Sequence, residues 1–168
     1  MVQTTTIVPI RHLSQEHSLS WFQERMWLLN RKNPRDLSYD IPVVFLLDGE
    51  ININALNRSI TEVLERHETL RARFIINKRG ETVQVITPNQ PFSLKIIDVQ
   101  ESEIPHFIEQ NMRYVFDLEK GPIFIGSLLR ISSKRHLLLL NVHHIAADGW
   151  SIESILFSEL QESYEAFA

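Results

Sequence analysis

The residues best suited to chemistry are gathered in one short run, Asn141-Val142-His143-His144-Ile145-Ala146-Ala147-Asp148-Gly149-Trp150-Ser151. An imidazole gains and loses a proton near neutral pH, so a histidine that faces a cavity can serve as a base or hold a developing charge. In an extended segment neighbouring side chains leave on opposite faces. His143 and His144 are therefore expected in different surroundings, one buried and hydrogen-bonded, the other open to a cavity. Taken singly, His143 reads as a structural residue, and Asp148-Gly149 before a helix is ordinary turn and capping chemistry. Taken together, His-His-x-x-x-Asp-Gly would arise by chance in a chain of this length with odds on the order of one in a thousand. The ensemble therefore favours function. Joint metal ligation is the weaker reading, because the two rings point apart and no Glu follows at zincin spacing.

The elements that must position this run are legible from periodicity. His136 to Val142 reads as a buried strand and Ser151 to Phe167 as the last helix, with Ile152, Ile155, Leu156 and Leu160 as its stripe. Ile123 to Ile131 pairs with His136 to Val142 as a long hairpin across Ser132–Arg135. Upstream, Leu19 to Asn30 is a helix, opened by a capping box of Ser20 and Gln23 and striped by Phe22, Met26 and Leu29. Val43 to Leu47 reads as a buried strand closed by Asp48-Gly49. Asn54 is placed to cap a second helix with Leu56, Ile60, Val63 and Leu64 on one face. Arg71 to Ile76 and Thr82 to Thr87 form a hairpin around Lys78-Arg79-Gly80, and Phe92 to Val99 is a further short strand. Ser102 is placed to cap a third helix, Ile104 to Val115, with Ile108 and Met112 on one face and Pro105 in its first turn. Residues 1–18 are polar and read as a loosely held lead-in. Helices and strands mixed around a sheet give an α/β or α+β class.

Composition narrows the function classes. The 168 residues suffice for one core. Hydrophobic residues make up 43% and charged residues 23%, with a net charge of −4, so the chain is globular and lacks the basic stripe of a nucleic-acid binder. No apolar run approaches the ~18 residues of a membrane span, and Met1 to Ile10 is unlike a signal peptide. The absence of cysteine removes disulfides, thiolate metal sites and a cysteine nucleophile, which fits a cytoplasmic setting. The chain stops at Tyr164-Glu165-Ala166-Phe167-Ala168 still in a helical pattern, which fits a fragment of a longer polypeptide and a frayed terminal helix equally well.

Three stretches carry a family resemblance: Ser20-Trp21-Phe22-Gln23-Glu24-Arg25-Met26-Trp27-Leu28-Leu29, Arg66-His67-Glu68-Thr69-Leu70-Arg71-Ala72-Arg73-Phe74, and the run from His143 to Ser151. In order and separation they resemble the first three core motifs of condensation domains of nonribosomal peptide synthetases, and Phe116-Asp117-Leu118 with Gly121-Pro122 resembles the segment before the histidine motif. Phe22 stands where the family has a small residue and Ala72 where it has threonine; neither is expected to touch the histidines. The resemblance covers nearly the whole chain but only the N-terminal lobe (1–168) of a two-lobed domain. It implies a chloramphenicol-acetyltransferase-like lobe, an α/β (α+β) two-layer sandwich with a mixed sheet packed by helices.

The same resemblance implies the chemistry. The amine of an acceptor aminoacyl thioester attacks the thioester carbonyl of a donor, both held on phosphopantetheine arms of carrier proteins, with no bound cofactor and no metal. His144 is the implied catalytic residue. His143 supports the loop, and Asp148 orients it through an ion pair with Arg66 or Arg71. Gly149 offers a backbone amide as oxyanion donor. Arg73 is expected as an exposed surface charge, Trp21 and Trp27 as core, and Trp150 as packing for the loop. The implied partners are carrier proteins, the C-terminal lobe and an adjacent adenylation domain. Two other readings compete: a non-catalytic carrier-docking or scaffold module, and a free acyltransferase of the same fold.

Overall fold

The structure, a computed structural model, describes residues 16–168. The body of the expected lead-in, residues 1–15, lies outside the described residues. Its last three residues, Glu16–Ser18, form strand β1, paired antiparallel with β4 (Thr82–Ile86). Helix α1 (Trp21–Lys32) follows at once, and its N-terminus is closed by the expected capping box of Ser20 and Gln23. Strand β3 (Ala72–Ile76) pairs with the other side of β4, giving a small three-stranded sheet β1-β4-β3.

The larger sheet is mixed and runs β2-β7-β6-β5. Its middle is the predicted long hairpin of β6 (Phe124–Ser132) and β7 (Arg135–His143), with β2 (Asp40–Asp48) antiparallel on one edge and β5 (Lys95–Asp98) parallel on the other. Strand β2 is an edge strand rather than the buried one its apolar run predicts. Its odd-numbered residues Ile41 to Leu47 pack inward while Val44 and Leu46 are exposed, the alternation of a half-covered strand. Helix α2 (Ile53–Arg66) and helix α5 (Phe157–Phe167) belong to the core on one face of this sheet, built on Leu56, Ile60, Val63, Leu138, Leu140 and Val142. Helix α3 (Ile104–Met112) packs Ile104, Phe107 and Ile108 against Leu129 and Leu139 on the opposite face. The mixed sheet packed by helices is thus as expected, and helices cover both of its faces.

Caps deviate where the sequence offers neighbouring candidates. Asn52, not Asn54, caps α2, because only its Oδ1 reaches the Ala55 amide, at 3.1 Å. Ser102 lies inside a 3-10 turn (Glu101–Glu103) ahead of α3, and the reciprocal cap is made by Gln100 and Glu103. The last helix is not uniform: α4 (Gly149–Ser151) passes through a π-helical stretch, Ile152–Leu156, before α5. No helix among the described residues is long and apolar enough to cross a membrane.

Candidate functional site

The histidine run sits where β7 ends, and hydrogen bonds hold that end from three directions. The Asn141 amide, wholly buried, donates to the Asn111 carbonyl at 2.8 Å. The His143 backbone N–H donates to the Ile123 carbonyl at 3.0 Å, and the His144 N–H to the Tyr39 carbonyl at 2.7 Å. The second bond extends the β2–β7 ladder one rung beyond the Asp40–His143 pair. The chain then turns away from the sheet, closed by the Ala146 N–H on the His143 carbonyl at 3.0 Å.

The two histidines do see different surroundings. His143 is 2% exposed, and its Nδ1 accepts the Ile145 N–H at 3.1 Å. That bond leaves the ring proton on Nε2. Burial, with a smaller push from His144 beside it, lowers its pKa to about 4, so the ring stays neutral at ordinary pH. His144 is half-buried, and its enclosed Nδ1 has no hydrogen-bond partner among the described residues. The Phe22 ring meets the His144 ring edge-on at 5.9 Å between centroids. Phe22 therefore does touch a histidine, contrary to expectation. The helix that carries it starts beside the turn.

Gln23 ties these parts together. Its Oε1 accepts the Ser20 N–H at 2.9 Å, closing the cap of α1, while its Nε2 donates to Gln84 Oε1 at 2.9 Å and lies 3.5 Å from the Ile145 carbonyl. One side chain thus links α1, the small sheet and the histidine turn. Ile145 completes the linkage by packing with Met26, Trp27, Phe74 and Ile123.

The expected ion pair at Asp148 is absent. Asp148 is exposed and caps the last helix, its Oδ1 accepting the Ser151 N–H at 2.7 Å and the Ser151 hydroxyl at 2.5 Å. The Ser151 hydroxyl, then its amide, hold the carboxyl below its usual range. Both arginines expected as partners are engaged elsewhere. Arg66 pairs with Glu62 at 3.4 Å and with Glu159 on α5 at 3.3 Å, where His67 also binds at 2.8 Å. Arg71 donates to the Leu64, Glu65 and Thr87 carbonyls, so it caps the C-terminus of α2 and stitches it to the end of β4. Charges in a shared motif are thus spent on joining elements, which motif spacing alone does not disclose.

Other side chains also depart from expectation. Trp27 is core, but Trp21 is 75% exposed and Trp150 68% exposed, so Trp150 does not pack the turn. Arg73 is half-buried rather than a free surface charge. Among the described residues, no heavy atom lies within 4 Å of a Cβ built on Gly149, so nothing there requires glycine. Sequence reasoning missed Asp40. It stands opposite His143 across the β2–β7 ladder with its buried Oδ2 unpartnered among the described residues, and burial, then Asp36, raises its pKa to about 7. No local pattern marks it, because only strand register brings it beside His143. Among the described residues, no cluster of three His, Cys, Asp or Glu side chains is arranged to hold a metal ion.

Comparison with known proteins places this geometry. A family model described as "Condensation domain" matches residues 13–168. Chondramide synthase cmdD of Chondromyces crocatus is 38% identical over 157 residues, an alignment taking in 89% of this chain and 4% of that one. The X-domain from teicoplanin biosynthesis, solved as a complex with OxyB, superposes with a TM-score of 0.83 at 27% identity, covering 98% of this chain and 35% of that one. The starter condensation domain of rhizomide synthetase superposes with a TM-score of 0.81 at 23% identity over 91% of this chain and 38% of that one, a likeness of fold. The chain thus spans a small share of its curated relative and little more than a third of its structural neighbours. The family match takes in every described element, from β1 through the histidine turn to the last helix, and the chain belongs to the condensation-domain family.

Proposed function

We propose that the chain is the N-terminal lobe of a two-lobed condensation domain of a nonribosomal peptide synthetase. In this reading it joins a donor acyl or peptidyl thioester to an acceptor aminoacyl thioester, both carried on the phosphopantetheine arms of carrier proteins, with an adenylation domain adjacent. The acceptor nitrogen attacks the donor carbonyl, a C–N bond forms, the C–S bond breaks, and the donor arm leaves as a thiol. The proton lost by nitrogen must be managed. The observation that carries the reading is the contrast between the histidines: His143 has its Nδ1 satisfied and its proton fixed, while His144 is half-buried with Nδ1 unpartnered. His144 takes the proton or steadies the charged tetrahedral intermediate. His143 and Asp148 hold the turn, and Gly149 leaves room for a substrate to approach its amide. Arg66 and Arg71 serve at a distance, by fixing α2 against α5 and β4. Thioesters are already activated, so alignment of the two arms supplies most of the rate, and positioning can contribute ~7–11 kcal/mol.

The test is His144→Ala in the two-lobed protein, assayed with donor- and acceptor-loaded carrier proteins by mass spectrometry of the dipeptidyl carrier. Most product is expected to be lost with the melting temperature unchanged. A stable variant with full activity would remove His144 from the mechanism. A docking module is the second reading, favoured by the likeness to an X-domain solved in complex with another protein. It predicts carrier or partner binding without amide product from the unaltered two-lobed protein.

A further inference from the structure

We infer that the cleft between Arg73, Lys120 and the loop 88–93 binds a small molecule that joins an oxyanion, carboxylate or phosphate, to an apolar body. The inference is independent of the condensation reading, because no residue of the histidine turn lines this cleft. The space is about 500 Å³, within the range of small-ligand sites. Its lining holds Arg71, Arg73 and Lys120 and no Asp or Glu. Acids meet Arg71 and Lys120 from outside the lining, which leaves Arg73 as the cation of the cleft with no counter-charge among the described residues. The floor is apolar, with Leu64, Leu70, Phe92 and Phe124.

Arg73 leaves β3 on the face opposite Ala72 and Phe74. Its Cγ and Cδ lie 3.6 and 4.0 Å from the place a Cβ would take on Gly121, a residue at φ +71 where glycine is favoured. The glycine turn therefore forms a bed for the arginine stem. Among the described residues, the buried Nε of Arg73 has no hydrogen-bond partner and no carboxylate lies within 4.0 Å of its guanidinium. The other two cations have counter-charges outside the lining: Arg71 has Glu68 at 3.6 Å and Lys120 has Asp117 at 3.2 Å. A half-buried guanidinium with an enclosed unpartnered donor favours an oxygen acceptor more than water-exposed lysines would, and its planar fork suits carboxylate and phosphate alike. The apolar floor then selects anions that carry a hydrocarbon portion.

The experiment uses the 168-residue chain and four probes at low ionic strength: octanoate, octyl phosphate, octylamine and inorganic phosphate. Binding is followed by isothermal titration, and saturation-transfer NMR shows whether the octyl chain is bound. Saturable binding of octanoate or octyl phosphate is expected, with inorganic phosphate weaker and octylamine absent. If one octyl anion binds and the other does not, the proposal stands and the oxyanion is identified. Arg73→Gln is expected to weaken the octyl anions at least ~10-fold, the size of a lost charge-assisted hydrogen bond. Lys120→Glu alters an exposed side chain and leaves the core intact, so it is expected to weaken the same ligands whether or not the Arg73 variant folds. Octylamine bound as tightly as octanoate, no anion bound, or anion affinity unchanged in both variants would overturn the proposal.

Discussion

His143 and Asp40 face each other across the β2–β7 ladder, and burial shifts their pKa values in opposite senses. His143 titrates near 4 when folded against an ordinary 6.5, so between those values the unfolded chain takes the proton and stability falls as pH falls. Asp40 titrates near 7 when folded against an ordinary 3.8, so in nearly the same window the folded chain takes the proton and stability falls as pH rises. The two slopes offset each other in the natural chain. Asp40→Asn is therefore expected to leave a melting temperature that rises, relative to wild type, from pH 4 to pH 7, and His143→Gln one that falls. Parallel profiles for both variants would show that neither group carries its shift. Asp148 works locally as a cap, so Asp148→Asn is expected to keep the wild-type melting temperature, because asparagine caps as well as aspartate. Asp148→Ala is expected to lower it, and equal loss in both would restore a role for the charge. Gly149→Ala is expected to leave lobe stability within about 0.5 kcal/mol, since nothing stands near a Cβ there. On the proposed function, the same change made in a two-lobed protein tests steric approach of substrate.

At the scale of elements, local physics was legible and register was not. The capping box of Ser20 and Gln23 is read from adjacent residues, and the structure makes both halves of it. Ser20→Ala is expected to cost ~1 kcal/mol. Gln23→Ala is expected to cost more, because Gln23 also links α1 to Gln84 and to the histidine turn; urea midpoints of the two variants decide this. The stripe of Leu56, Ile60, Val63 and Leu64 on α2 and the β6–β7 hairpin follow from period and turn residues alone. The exposure of Trp21 and Trp150 runs against composition, since large aromatics usually bury, and no spacing rule marks the exception. The tasks of Arg66 and Arg71 depend on α5 and β4, which lie far along the chain. Asp40 escapes sequence reading, and Arg73 reads there as a surface charge, for the same reason: each is defined by its neighbours across a sheet or a loop.

At the scale of the molecule, the described residues form cores on both sides of the larger sheet and beneath the small one, so the 168-residue chain is expected to melt cooperatively by itself. On the proposed function it forms no dipeptide alone, because two arms cannot be aligned against one wall; product at the two-lobed rate would overturn that division of labour. Strand β2 has a further consequence for handling the protein. Its outer edge pairs with no strand among the described residues, and Val44 and Leu46 are 41% and 52% exposed. The stretch Val43-Val44-Phe45-Leu46-Leu47 is apolar and β-prone, the composition that templates edge-to-edge aggregation in concentrated solution. Pro42 and the acids Asp40 and Asp48 stand at its ends as gatekeepers. With Asp40 protonated up to about pH 7, one of the two guards carries no charge in mildly acidic buffer. Light scattering at rising concentration is expected to begin earlier in Asp40→Asn than in the natural chain at pH 8, and at nearly the same concentration in both at pH 5.5, where Asp40 is already uncharged. Leu46→Lys is expected to delay it at both.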